Sequence, residues 1–298
     1  MKIDEVIKET IIAIYSEPKP SVPLFLKGGS AMRLFYGLTS RLSIDVDFSV
    51  DKAVEDVSSL FNAMKSKISR RFQELKYEAI NFKWTRKPKS KHKDKPDWWG
   101  GWSFEFKLVS FDHSDKSIEI KRRNALIPEG ANSSKIIVEI SEHEYCKNGR
   151  TKVINGVTIL GYSRELIVLE KIRAICQQHP EYKFRLSKNR ARDFYDIHEL
   201  TKNIDDDFVH RCSLHIESVF RAKEVPISFL NSLWEEDFID KQRRGFDQVK
   251  DTVQGKVDDF AFYLENLRFL VKEIYPTPDG HFKIPHPWPG QNPPATDF

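Results

Sequence analysis

"LKGGSAMRLFYGLTSRLSIDVDFSV" (26–50) is the stretch on which the reading of this chain turns. Its second part alternates without a break: Arg41, Ser43, Asp45 and Asp47 fall at one parity, Leu42, Ile44, Val46 and Phe48 at the other. That alternation predicts a strand with one face anchored in the core. On the other face Asp45 and Asp47 stand a single pleat apart, with Cα atoms roughly 6–7 Å from each other. Carboxylates that close repel, so the pair predicts a divalent cation. Mg2+ takes oxygen ligands and keeps substrate phosphates in its shell, and two-metal sites place their ions about 3.5–4 Å apart. The first part reads as a short apolar strand, "LFLK" (24–27), running through "GGS" (28–30) into a helix, "AMRLFYGL". Glycines let the backbone approach a phosphate closely, and a helix start offers free N–H groups. Gly28, Gly29 and Ser30 are therefore candidate phosphate holders, Ser30 with its hydroxyl. Each feature alone is an ordinary turn or surface strand. The order strand, Gly-Gly-Ser, helix, acidic strand is the specific signal.

Outward from this stretch, Ile3, Val6, Ile7, Ile11 and Ile14 predict a helix over 3–16, stopped by Pro18, Pro20 and Pro23. Residues 54–77 read as an amphipathic helix with Val57, Leu60, Phe61 and Met64 on one side. From 78 to 140 the pattern is mostly strands, including "AINFKW", "GWSFEFKLVSF" and "KIIVEIS", and Asn-Gly turns punctuate short β-rich runs up to 162. From Ser163 the periodicity becomes helical over 163–178, 190–203, 205–222, 226–245 and 255–274. Segregated strands and helices predict an α+β fold. The expected organisation is a mixed core over 1–160, a helical domain over 161–275 and a Pro-rich, extended tail over 276–298.

The chain has 298 residues and a hydrophobic fraction of 40%, enough for a substantial core. No apolar run approaches the roughly 20 residues of a membrane span, and the N-terminus lacks a signal-peptide pattern. Cys146, Cys176 and Cys212 have no metal-like spacing, so a cytoplasmic protein with free thiols is expected. The net charge of +4 alone implies no polyanion, but its distribution is local: "RKPKSKHKDKPDWW" (86–99) and "KRR" (121–123) concentrate the excess.

The motif in the opening stretch resembles the signature of nucleotidyltransferases of the DNA polymerase β-like superfamily, and more narrowly the AbiEii/AbiGii toxin family of abortive-infection and type IV toxin–antitoxin systems. That family's pattern, Gly-Gly-[Ser/Thr]-Ala, a spacer, then Arg-x-Ser-x-Asp-[Ile/Val]-Asp-Phe, is matched at every position. The resemblance spans roughly residues 20–205. It makes Arg41 and Ser43 part of the nucleotide-binding motif. It implies a polymerase β-like core followed by a helical domain that contributes to the active site. It also singles out Lys171 in "YSRELIVLEKIRAICQ", and Arg192, Asp193 and Asp196 in "RARDFYDIHEL".

The residues themselves carry part of this. On a helical wheel Asp193 falls between Ile197 and Leu200, with Phe194 on the same side, so it faces inward and needs a partner or a ligand. An ion pair with Arg190, Arg192 or Lys171 satisfies that need as well as a catalytic role does. Lys171, at the margin of its helix's apolar face, reads either as a phosphate-reaching amine or as a snorkelling surface lysine. Polymerase β-like sites generally use a third carboxylate. Glu139 in "KIIVEIS" resembles the family's later acidic strand, with Glu105 and Glu119 as rivals.

What the resemblance implies is Mg2+-dependent, or Mn2+-dependent, nucleotidyl transfer. Asp45, Asp47 and Glu139 are the expected metal ligands, and Lys171 and Asp193 complete the catalytic set. The substrate is an NTP and the acceptor an RNA, foremost a tRNA 3′ end, with a cognate antitoxin as partner. The basic segment 86–95 followed by Trp98, Trp99 and Trp102 suits an RNA surface through phosphate pairing and base stacking. It also suits a solvated hairpin loop whose tryptophans return to the core. A small-molecule nucleotidyltransferase, and a protein-modifying or non-catalytic member acting through a partner, stay open.

Overall fold

The computed structural model describes residues 1–39, 44–88, 96, 99–253 and 255–276. Arg41, Leu42, Ser43, most of the basic segment, Trp98 and the Pro-rich tail from residue 277 lie outside them. The chain divides into two compact units between Ile167 and Val168.

The first unit runs α1 (Ile3–Tyr15), β1 (Phe25–Lys27), α2 (Gly28–Tyr36), β2 (Asp45–Ser49), α3 (Val57–Glu74), β3 (Tyr77–Lys87), β4 (Gly101–Ser110), α4 (Ile118–Arg123), β5 (Ile136–Ser141), β6 (Arg150–Ile154) and β7 (Val157–Gly161). The strands form one mixed sheet in the order β3-β4-β5-β2-β1-β7-β6. The β1–β7 and β2–β5 pairs are parallel and the others antiparallel. One face is the core. Val46, Phe48, Phe104, Val138 and Ile140 are buried there. Tyr15 of α1 meets Phe48 edge-on, and Phe61 of α3 stacks on both Phe104 and Trp84.

A register shift between Ile80 and Lys83, with Asn81 at φ 57°, gives β3 one extra residue. Beyond that bulge Trp84 pairs with Phe104 and Arg86 with Trp102, while Lys83, Thr85 and Lys87 fall on the opposite face. The β6–β7 hairpin closes on Asn155-Gly156, both at positive φ as a type I′ turn requires.

Two expectations within this unit are corrected. Ile44 is not a core anchor: it precedes β2 and is 48% exposed. The segment around Glu119 is not a strand but the short helix α4. The Ser117 hydroxyl accepts from the Ile120 N–H at its start, and Lys121, Arg122 and Arg123 fill its last turn, where cations suit the helix dipole. Six residues are too few for periodicity to reveal.

α5 (Arg164–Cys176) carries the chain across the division. The second unit continues through α6 (Ala191–Thr201), α7 (Asp206–Arg221), a 3₁₀ segment (Ile227–Trp234), α8 (Glu236–Arg243), α9 (Asp247–Lys250) and α10 (Phe260–Ile274). α10 packs on α6 and α7, with the ring pairs Phe194–Phe260 and Tyr195–Tyr263 between them. The continuous helix expected over 226–245 is broken. The buried Ser232 hydroxyl bonds the Phe229 carbonyl, competing with the helical ladder, and Glu235 is extended before α8 starts. Cys146, Cys176 and Cys212 are free and buried. No described helix is long and apolar enough to cross a membrane.

Candidate active site

β2 lies between β5 and β1, so its acids have neighbours on both sides. Val46 and Phe48 enter the core, and Asp45 and Asp47 sit half-buried on the other face. β5 runs parallel, with Asp47 in register with Glu139 and Asp45 with Ile137. Ile136, Val138 and Ile140 are its buried residues, so Glu139 shares the face of the aspartates. On the other side Lys27 stands in register with Asp47, its ammonium 3.7 Å from Glu144. Burial and the negative charge of Glu139 raise the Asp45 carboxyl's pKa above the ordinary value, and the charge of Lys87 partly offsets them. Lys87 Nζ is 2.8 Å from Glu139 Oε1, with the two side chains 51% and 43% exposed. An ion pair so open to water is worth only about 0–1 kcal/mol and exchanges readily. Of the rival acids, Glu105 lies one strand further out and pairs with Lys135, and Glu119 is on α4.

α2 begins at Gly28 itself, one turn earlier than the sequence predicts. Gly28 has φ +62°, and a Cβ there would lie 2.6 Å from Asp47 Oδ2. No other residue type lets the chain pass this close to the carboxylate. Gly29 follows in the first turn of α2. The Ser30 side chain is buried, and its hydroxyl donates to the Asp45 carbonyl at 2.9 Å, tying α2 to β2.

Asp45 and Asp47 fit a divalent cation as a pair: two half-buried oxygen donors on one face, beside a glycine with no side chain to obstruct them. Among the described residues no group of three or more His, Cys, Asp or Glu side chains is arranged to hold a metal, and the Glu139 carboxylate is held by Lys87.

In the second unit, Lys171 of α5 reaches two carboxylates of α6. Its Nζ is 2.8 Å from Asp193 Oδ1 and 2.7 Å from Asp196 Oδ2. Burial pulls the ammonium's pKa down, but the charges and hydrogen bonds of the two aspartates outweigh it and raise it. Lys171 is therefore a protonated, nearly buried cation, not a snorkelling surface lysine. The sequence reading anticipated its pairing with Asp193 but assigned Asp196 no role.

The family model for the nucleotidyl transferase AbiEii toxin, of type IV toxin–antitoxin systems, matches residues 12–266. The chain belongs to this family. It is a nucleotidyltransferase of the AbiEii toxin type, built on a seven-stranded mixed sheet. No curated protein matches it. Among solved structures it is similar to JHP933 from Helicobacter pylori, at 18% identity over 91% of this chain and 90% of that one, with a TM-score of 0.46. It is also similar to MenT4, a nucleotidyltransferase toxin of Mycobacterium tuberculosis, at 11% identity over 91% and 92%, with a TM-score of 0.42.

Other residues around the AbiEii-type sheet site have structural work that the sequence did not disclose. Glu142, 2% exposed, accepts from the Val54 N–H, the Trp102 Nε1–H and Arg86. Trp102 also packs edge-on against Phe61, with the Arg86 guanidinium over its ring, so it has returned to the core and is no base-stacking platform. Lys121 pairs with Glu78, and Arg122 bonds Asn81. The described part of the basic excess is thus largely engaged within the protein. An isolated buried acid just past a strand, as in "VEISE", is the one sequence signal that pointed to Glu142.

Proposed function

We propose that this toxin transfers a nucleoside monophosphate from an NTP to a hydroxyl of an RNA acceptor, foremost the 3′ end of a tRNA. Asp45 and Asp47 would hold Mg2+ or Mn2+, and Glu139 would join them once it exchanges Lys87. The observation that carries the reading is the register of β2 and β5, which sets Glu139 beside Asp47 and pushes the Asp45 carboxyl upward. Three acids gathered on one sheet face are tolerated best with a divalent cation among them. Bound there, the metal supplies charge stabilisation at the triphosphate.

The chain's own groups do the positioning. Gly28 leaves room beside Asp47, and Ser30 fixes the start of α2 to β2. Lys171 supplies a permanent positive charge for phosphate oxygens. The acceptor oxygen forms a bond to the α-phosphorus, the bond from that phosphorus to the leaving pyrophosphate breaks, and the hydroxyl proton is lost. With no covalent intermediate required, catalysis rests on orientation and electrostatics. The RNA acceptor is supported by the family's toxin character and by the local basic excess. A cognate antitoxin is expected from the type IV assignment.

The test is incubation of the chain with each labelled NTP, Mg2+ and total RNA, beside D45A and D47A. Label on a tRNA-sized band, lost in both variants, is expected. Label on protein or on a small molecule alone would overturn the acceptor, and incorporation that survives both substitutions would overturn the site.

A further inference from the structure

We infer that Asp196 is a positioning residue that keeps the Lys171 ammonium in place, and that Asp193 is the partner that releases it to phosphate. This deepens the reading above and rests on Lys171 binding the triphosphate. Asp193 and Asp196 are three apart on α6 and hold the same ammonium at nearly equal distance, 2.8 and 2.7 Å. They are not equivalent. Asp196 is 1% exposed, so water has little access to it, whereas Asp193 is open to the same extent as Lys171, each side chain 12% exposed.

Asp193 also has a second cation in reach. Its Oδ2 is 3.6 Å from the Arg190 guanidinium, which sits just ahead of α6. One ammonium facing two carboxylates leaves an excess negative charge, which repels an incoming phosphate. If Asp193 turns to Arg190, that excess is neutralised and one face of the ammonium opens. Asp196 meanwhile still fixes where the ammonium is. The reverse exchange is disfavoured, because Asp196 would surrender its ammonium while out of reach of water.

Binding of inorganic tripolyphosphate to the full chain, measured by calorimetry without metal, separates the two roles from activity. D196N is expected to weaken binding about tenfold, as loss of an orienting partner does, and to raise the KM for NTP more than it lowers kcat. D193N should bind tripolyphosphate at least as tightly as the wild type. Asp193 acts through Arg190 in this scheme, so R190Q should weaken binding in the wild-type background and have no effect in D193N, a coupling that a double-mutant cycle reads directly. That cycle also stands if D196N fails to fold. Equal responses of D193N and D196N, or an R190Q effect that persists in D193N, would overturn the inference alone. A wild-type chain that binds no tripolyphosphate would overturn the phosphate-binding reading of Lys171, and this inference with it.

Discussion

Gly28 and Asp47 are packed so closely that a single methyl group cannot be added between them: a Cβ on Gly28 would lie 2.6 Å from Asp47 Oδ2. The glycine also holds φ +62°, a region costly for any L side chain. G28A is therefore expected to displace the Asp47 carboxylate and lower nucleotide incorporation at least tenfold. Gly37 is the matched control. It has φ +69° with nothing within 4 Å of its absent Cβ, so G37A should cost about 1 kcal/mol of stability and leave incorporation intact. Chemical denaturation and an incorporation assay on both variants check the contrast.

D45N and D47N should each reduce incorporation by more than about 100-fold, since loss even of an outer-shell partner of a metal typically costs 10–100-fold. Stability should move the other way for Asp45. Its carboxylate is disfavoured in the folded, metal-free chain by burial and by Glu139, so D45N should raise the melting temperature at neutral pH. A fall in melting temperature would show that Asp45 is held by structural partners and not kept for a ligand.

Glu142 should behave as a structural acid. Its substitution by alanine strips the carboxylate from Val54, Trp102 and Arg86 at once. A loss of about 3–5 kcal/mol is expected, as when one partner of a buried charged network is removed. E139Q, which breaks only the exposed pair with Lys87, should cost about 1 kcal/mol or less. Urea titrations of the two variants measure the difference.

His198 sets an acid limit on the second unit. Burial lowers its pKa below the ordinary 6.5, with Lys202 adding to the effect and the hydrogen bond to Asn266 opposing it. The folded state therefore binds fewer protons than the unfolded state just below pH 6.5. Stability is complete above that value and falls as the pH drops toward the folded pKa. H198Q, which can keep a hydrogen bond to Asn266, should flatten the profile. Melting temperatures of both proteins between pH 5 and 8 read it.

The sequence by itself determined the local units. Alternation over 41–50 marked Asp45 and Asp47 as a pair facing away from the core. The Gly-Gly-Ser turn marked the strand-to-helix step, and the helical wheel placed Asp193 facing inward. Each is a matter of backbone period and local sterics, which neighbouring residues set among themselves. Only the tertiary structure decided which acids meet. Glu139 reaches Asp47 because β5 pairs in parallel with β2, a register fixed by packing between segments distant in the chain. The bulge at Asn81 decides that Arg86 turns to Glu142 in the core while Lys87 turns to Glu139 on the open face. Asp196 joins Lys171 because α5 and α6 are held together by a core that neither helix possesses alone. Such non-local pairings are stabilised only when the whole sheet or helical unit forms, so no spacing within a single segment could disclose them.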